Sequence, residues 1–269
     1  MKMTLNEALE TLNKSGFVAE QMNEGLIGRA LGIGALAIST LFSTANSMPQ
    51  KLADFGTDDR YVELTNEEIP LEYEYQKRQG KIDKVIYDTK KDGYILCNKN
   101  KDDVTCKISA KDEITTATYE NGVRTEVKGL INSDGGVHLA KATCHDNGQV
   151  KKIVWYYDKN GSYVDEIYYY DEAGNITKHE TYYEYDDVIR SEEDYKTHTG
   201  VEYYTTGEIK TEYTIDDDGD FHGILKMYRQ DGKYAGKQKY EHGKPVGMTT
   251  CVDGRRGRAG LDCQIPLQK

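Results

Sequence analysis

The 269-residue chain holds 46 acidic and 35 basic residues, for a formal net charge of −11, and 30% of it is charged. A sequence pI of about 5.1 and a mean hydropathy of −0.76 fit a polar, folded bulk and give no electrostatic basis for nucleic-acid binding, which needs concentrated positive charge. With four prolines against 26 glycines and 22 tyrosines, the composition supports the same folded bulk after the N-terminal apolar segment.

Residues 1–25 read as an amphipathic helical segment. Leu5, Ala8, Leu9 and Leu12 share a helical face, Thr4 can cap the start with Glu7 three positions on, and Gly16 supplies a stop. Residues 26–48 form an apolar segment, uncharged from Ala30 to Met48 and most apolar from Ala30 to Phe42. Three readings of it stand side by side: a membrane anchor, an export segment cleaved after Ala45-Asn46-Ser47, and a buried or assembly helix. Gly28 and Gly32 would allow close helix packing in lipid. Residues 49–60 read as a linker. Residues 61–121 read as a β-rich module or divergent repeats, with turns at Gly80, Asp92-Gly93 and Asn98 to Asp103.

The organising feature lies in residues 122–249. Gly122, Gly135, Gly148, Gly161 and Gly174 recur at every thirteenth position, Asp187 and Gly200 continue the grid, and Gly219–Gly232 and Gly223–Gly236 restore the spacing. Thirteen residues suffice for one strand and its turn, and too few remain for a helix with ordinary connections. Asn160-Gly161 and Gly174-Asn175 supply the positive φ of tight hairpin turns. Alternation sends Ile153, Trp155 and Tyr157 to one face and Val154 and Tyr156 to the other; it pairs Ile167 with Tyr169 and Tyr168 with Tyr170. The expected fold is mainly β, an elongated array of β-hairpin repeats preceded by N-terminal α-helical and apolar segments, with a C-terminal tail at 250–269.

Gly223, Tyr228, Asp231-Gly232-Lys233, Gly236, Tyr240, Gly243-Lys244 and Gly247 form a pattern that resembles MORN-type variant repeats, in particular those of bacterial YwqK-like antitoxin-family proteins. The resemblance implies stacked β-hairpins used as interaction modules, membrane-associated elements or parts of larger proteins. Read physically, Gly232 and Gly243 suit hairpin turns, Gly223, Gly236 and Gly247 suit close strand approach or a bend, and Tyr228 and Tyr240 take recurrent packing positions.

Candidate partner contacts are Tyr156, Tyr169, Tyr182 and Tyr204, with Arg255 and Arg256 in a separate terminal patch that also holds Arg258. Cys97 and Cys106 can face each other across a hairpin and Cys251 and Cys263 can close the C-terminal segment, leaving Cys144 over. Cys144 and His145 are adjacent, so a strand directs them to opposite faces, against a nucleophile–base pair. His138, His145, His179, His198, His222 and His242 show no ligand cadence, and the run Asp216 to Asp220 lacks the spacing of a calcium loop. No metal ligand, cofactor or catalytic residue is assigned.

These features favour a noncatalytic protein-interaction or structural scaffold of bacterial or phage origin, membrane-associated or extracytoplasmic. Its expected partner is a protein or further copies of itself. Alternatives are a toxin-neutralising immunity protein, a viral or cell-surface structural component and, less favoured, a hydrolase acting through Cys144 or Asp218; the alternative location is cytoplasmic or virion-associated.

Overall fold

The computed structural model describes residues 48–90, 92–100, 103–109, 114–133, 136–257 and 263–264. The segment at 1–25, the apolar segment up to Ser47, Gly135 and Arg258 lie outside them. Among the described residues no helix is long and apolar enough to cross a membrane. The fold is mainly β, a long run of antiparallel strands joined as hairpins, and it divides into two compact units at the Asn175/Ile176 boundary.

The first unit holds β1 (Tyr61–Glu63), α1 (Leu71–Arg78), β2 (Lys84–Asp88), β3 (Gly93–Asn100), β4 (Asp103–Ser109), β5 (Ile114–Glu120), β6 (Val123–Ser133), β7 (Gly136–Cys144), β8 (Val150–Tyr156) and β9 (Val164–Tyr170). Each strand pairs antiparallel with the next. One cross-strand row, Cys97, Cys106, Ala117, Val127, Ala142, Ile153 and Tyr168, runs from β3 to β9 with no member more than 3% exposed. The period of two along a strand keeps that row on one face, so a single register holds seven strands.

Two parts of this unit differ from the sequence expectation. α1 interrupts the segment read as β-rich: Pro70 precedes it, Glu72 and Glu74 occupy its first turn and Lys77 and Arg78 its last, complementing the helix dipole. Tyr73 then packs with Ile69 and Ile82 on Val85 and Leu96. Residues 49–60, read as a linker, are tied down instead. The Leu52 amide donates to the Gly122 carbonyl at 2.9 Å, the Arg124 amide to the Gln50 carbonyl at 2.8 Å, and Met48 and Phe55 are buried.

The second unit holds β10 (Ile176–Tyr182), β11 (Ile189–Asp194), β12 (Thr199–Tyr203), β13 (Ile209–Thr214), β14 (Gly223–Tyr228), β15 (Tyr234–Glu241), β16 (Lys244–Cys251) and β17 (Arg256–Gly257), again paired in order. Its core is smaller: Met227, Ala235, Cys251 and Cys263, with Leu225 against them. Disulfides join Cys97 to Cys106 and Cys251 to Cys263, which suits an extracytoplasmic environment.

The recurring link is a turn in which the first residue accepts from the fourth and donates to the fifth. The Gly174 amide donates to the Asp171 carbonyl at 3.0 Å and the Asp171 amide to Asn175 at 2.9 Å; His145/Gly148/Gln149, Tyr204/Gly207/Glu208, Asp216/Gly219/Asp220 and Arg229/Gly232/Lys233 repeat the pair. This is the type I turn closed by a left-handed glycine, which adds a bulge to the strand pair. Among the described residues, two-residue turns with positive φ at both positions lie at Asn121-Gly122 and His242-Gly243.

Candidate functional site

The four tyrosines expected to meet a partner are half-buried. The Lys141 ammonium lies 5.2 Å from the Tyr156 ring centroid and that of Lys152 5.2 Å from Tyr169. The Tyr182 hydroxyl donates to Glu180 at 3.2 Å, and that of Tyr204 to the Tyr228 carbonyl at 2.8 Å. Arg255 is half-buried against Asp253 and Arg256 is exposed. The more exposed rings are Tyr75, within α1, and Tyr163, Tyr185 and Tyr234, which sit at turns or strand ends; no spacing rule singled them out.

The Tyr204 bond belongs to a recurring clasp. His145, Tyr183 and Tyr204 each open a turn, and each reaches the main-chain oxygen at the end of the second strand onward: His145 Nε2 lies 3.0 Å from Tyr170 O, Tyr183 Oη 2.6 Å from Tyr203 O, and Tyr204 Oη 2.8 Å from Tyr228 O. A polar ring at that turn position thus fastens strands that do not pair directly.

The glycines divide by task. Gly122, Gly148, Gly161, Gly174, Gly232 and Gly243 occupy turns at positive φ, while Gly223 and Gly247 have positive φ within β14 and β16. Gly236 lies against the Cys263 sulfur, where a Cβ would come within 2.6 Å. Tyr228 donates to Glu212 at 2.7 Å, and Tyr240 packs against Phe221 with ring centroids 5.2 Å apart.

Charge is sharply segregated in the second unit. Between residues 176 and 220 there are 14 Asp and Glu against 4 Lys and Arg; between 221 and 257 there are 3 against 8. The strand register carries this into one cross-strand row: Glu180, Glu192, Val201, Glu212, Lys226, Lys237 and Thr250. Glu180 and Glu192 lie directly opposite each other, and the Lys178 ammonium joins them at 2.8 and 2.9 Å. The Glu192 carboxyl titrates below its ordinary value because it accepts from the Tyr203 hydroxyl and from Lys178; Tyr203, desolvated and facing Glu192, is pushed up to about 12.

At one end of this unit Asp216, His222 and His242 converge, with one ligand atom from each lying within 4.8 Å of the others. Asp216 opens the β13–β14 turn, His222 immediately precedes β14, and His242 sits in the two-residue turn between β15 and β16. Asp216 Oδ1 accepts from the amides of Asp218 and Asp220 at 3.1 and 2.9 Å, which directs Oδ2 to His242 Nδ1 at 2.8 Å. Burial raises the Asp216 carboxyl, but the Asp220 amide and the His242 imidazole outweigh it and hold the group below its ordinary value. The Gly243 amide donates to the Phe221 carbonyl at 2.9 Å, tying the two loops together. The histidines are 20 residues apart in sequence; only a strand pairing, unseen in any local motif, brings them together.

Elsewhere in the first unit a cavity of about 360 Å³ is lined by Asp54, Asp58, Arg60, Tyr61 and Arg124 among others. Both guanidiniums are engaged there: Arg60 grips Asp88 through two bonds of 2.8 and 2.7 Å, and Arg124 donates to the carbonyls of Met48 and Gly148. Burial pushes the Cys144 thiol up despite Arg124, while its neighbour His145 is turned to Tyr170.

No family model matches the chain, and no curated protein matches it. Among solved structures it is similar to TarM, at 11% identity over 72% of this chain and 30% of that one, with a TM-score of 0.21. It is also similar to a mutant S. aureus TarM in complex with fondaparinux, alpha-GlcNAc-glycerol and UDP, at 11% identity over 82% of this chain and 32% of that one, with a TM-score of 0.19. The chain spans about a third of the length of these structures, and likeness at that level carries no argument about what it does.

Proposed function

We propose that the chain is a noncatalytic scaffold that binds a protein partner through the strand faces of its second unit. The observation that carries this reading is the charge row across β10 to β16, acidic at one side and basic at the other. A surface with fixed, segregated charge steers and orients a complementary partner more than it adds affinity. Exposed Tyr185 and Tyr234 supply aromatic anchors of the kind that concentrate binding energy. The raised Cys144 thiol, with His145 engaged elsewhere, supports the noncatalytic part. The resemblance of residues 223–247 to MORN-type, YwqK-like repeats supports an interaction role, a toxin-neutralising one included.

The test places a photo-crosslinking amino acid at Tyr185 or Tyr234 of the full chain in its native cells, with Tyr75 as the remote control. The scaffold reading expects a discrete adduct at the first two positions, lost at about 0.5 M salt where the Debye length is only a few ångström. Adducts that form equally at Tyr75, or that ignore salt, would overturn it.

A further inference from the structure

The loop cluster at the end of the second unit has the composition and spacing of a site for a borderline divalent cation, and this inference stands apart from the partner-binding reading. We propose that Asp216 Oδ2, His222 and His242 bind one transition-metal ion of the zinc, nickel or copper class, with the remaining coordination positions open to water. Two imidazoles and one carboxylate suit these ions, whereas calcium and magnesium prefer all-oxygen shells.

Distances favour the assignment. Ligand bonds of about 2.0 to 2.1 Å put the centroids of two imidazoles sharing an ion roughly 4.5 Å apart at a right angle and roughly 5.2 Å apart in a tetrahedron. The His222 and His242 centroids are 4.8 Å apart, with the rings inclined at 63° rather than stacked. The same bond lengths separate an oxygen and a nitrogen ligand by roughly 3.0 to 3.4 Å, and Asp216 Oδ2 lies 2.8 Å from His242 Nδ1. An ion entering that edge replaces the hydrogen-bonded proton and moves the pair by only a few tenths of an ångström.

Support around the ligands is already in place. Asp216 is fixed by two turn amides through its other oxygen, which is how an outer shell orients a ligating carboxylate. His222 is held by its amide, which donates to Thr214 O at 2.9 Å. Both imidazoles are exposed, so an ion reaches them without opening the fold. Binding would clip the β13–β14 turn to the β15–β16 turn, adding a ligand bridge where Gly243 and Phe221 supply one main-chain bond.

The experiment is calorimetric titration of the untagged full chain with Zn²⁺, repeated with Co²⁺ to read visible absorption from the bound ion. One equivalent is expected, and His222→Gln or Asp216→Asn should weaken binding at least tenfold. His242→Asn should do the same while tolerating the positive φ at that residue. His198→Asn, beside Asp217 at 3.6 Å and likewise at positive φ, should leave the affinity unchanged. As a readout that needs no variant, saturating Zn²⁺ should protect His222 and His242, and not His198, from acylation mapped by mass spectrometry. Absence of a one-to-one site, equal affinity in the double variant H222Q/H242N, or uniform acylation with and without Zn²⁺ would overturn the proposal.

Discussion

Gly200, in β12, and Gly207, in the turn between β12 and β13, resist substitution for different reasons. Gly200 has no positive φ, but a Cβ there would lie 2.2 Å from Tyr213 Cε2 and 2.4 Å from its Cζ. The ring cannot simply swing aside: it is 6% exposed, packs edge-on to Phe221 at 4.7 Å, and its hydroxyl donates to Glu193 at 3.0 Å. Gly200→Ala therefore breaks a buried bond to a charged acceptor, about 1.5–3 kcal/mol, and exposes part of a packed ring, about 1–2 kcal/mol. The expected cost is about 3–5 kcal/mol. Gly207 has open space around its Cα but φ of +90°, so Gly207→Ala costs only the left-handed penalty, about 1–2 kcal/mol, and Gly207→Asn less still. Hydrogen exchange of peptides spanning 199–214 measures both, and suits a chain of two units for which one global unfolding energy is ill-defined. Equal protection in Gly200→Ala and Gly207→Asn would refute the view that the Tyr213 ring fills the space over Gly200.

Lys178→Met should destabilise β10–β11 by about 1–2 kcal/mol, since two carboxylates roughly 5 Å apart repel by about 3 kcal/mol at an effective dielectric of 20, discounted because the lysine side chain is 36% exposed; Glu180→Gln should recover most of it in a double-mutant cycle. Arg124→Met should cost about 3–5 kcal/mol, because it strands the carbonyls of Met48 and Gly148 in a fully buried site; the lone tryptophan, Trp155, reports it by fluorescence. Acid should weaken the second unit in a defined window. Glu192, Glu212 and Asp194 all titrate below their ordinary values, held chiefly by the Tyr203 hydroxyl, the Tyr228 hydroxyl and the Thr197 amide respectively. Their contribution is present above the unfolded carboxylate range near pH 4 and lost as pH falls through the depressed folded values; urea midpoints flat between pH 5 and 7 and falling below 4 are expected. Reducing either disulfide should remove about 3 kcal/mol in the chain-entropy view, measurable as a shift in the denaturation midpoint.

How much of this was legible in the chain follows from the range of each signal. Strand and turn information is local, so a glycine every thirteen residues announced the hairpins from Gly122 onward, and Ile153 and Trp155 do share a buried face. Beyond Trp155 the pairing with β9 shifts by one, with Asp165 as the extra residue, an effect of bulges that residue type alone does not mark. α1 escaped notice because its eight residues, five of them charged or amide, show only a weak apolar face; its burial rests on Tyr73 alone. The expected tyrosine contacts rested on counting rings, but a ring's availability depends on which lysine lies on the next strand or which carbonyl lies two strands away.

The same distance explains the clasp and the cation cluster. In a meander whose strand and turn together take about thirteen residues, side chains about 20 to 26 residues apart return to the same end of the sheet two strands on. His145 with Tyr170, Tyr183 with Tyr203, and Tyr204 with Tyr228 obey this interval, and so do His222 with His242 and Asp216 with His242. The repeat thus does more than stack strands: it sets a second period at which turn residues meet. Where that period presents a hydroxyl and a carbonyl, the outcome is a fastening. Presenting two imidazoles and a carboxylate, it assembles a ligand set from residues that no local motif connects.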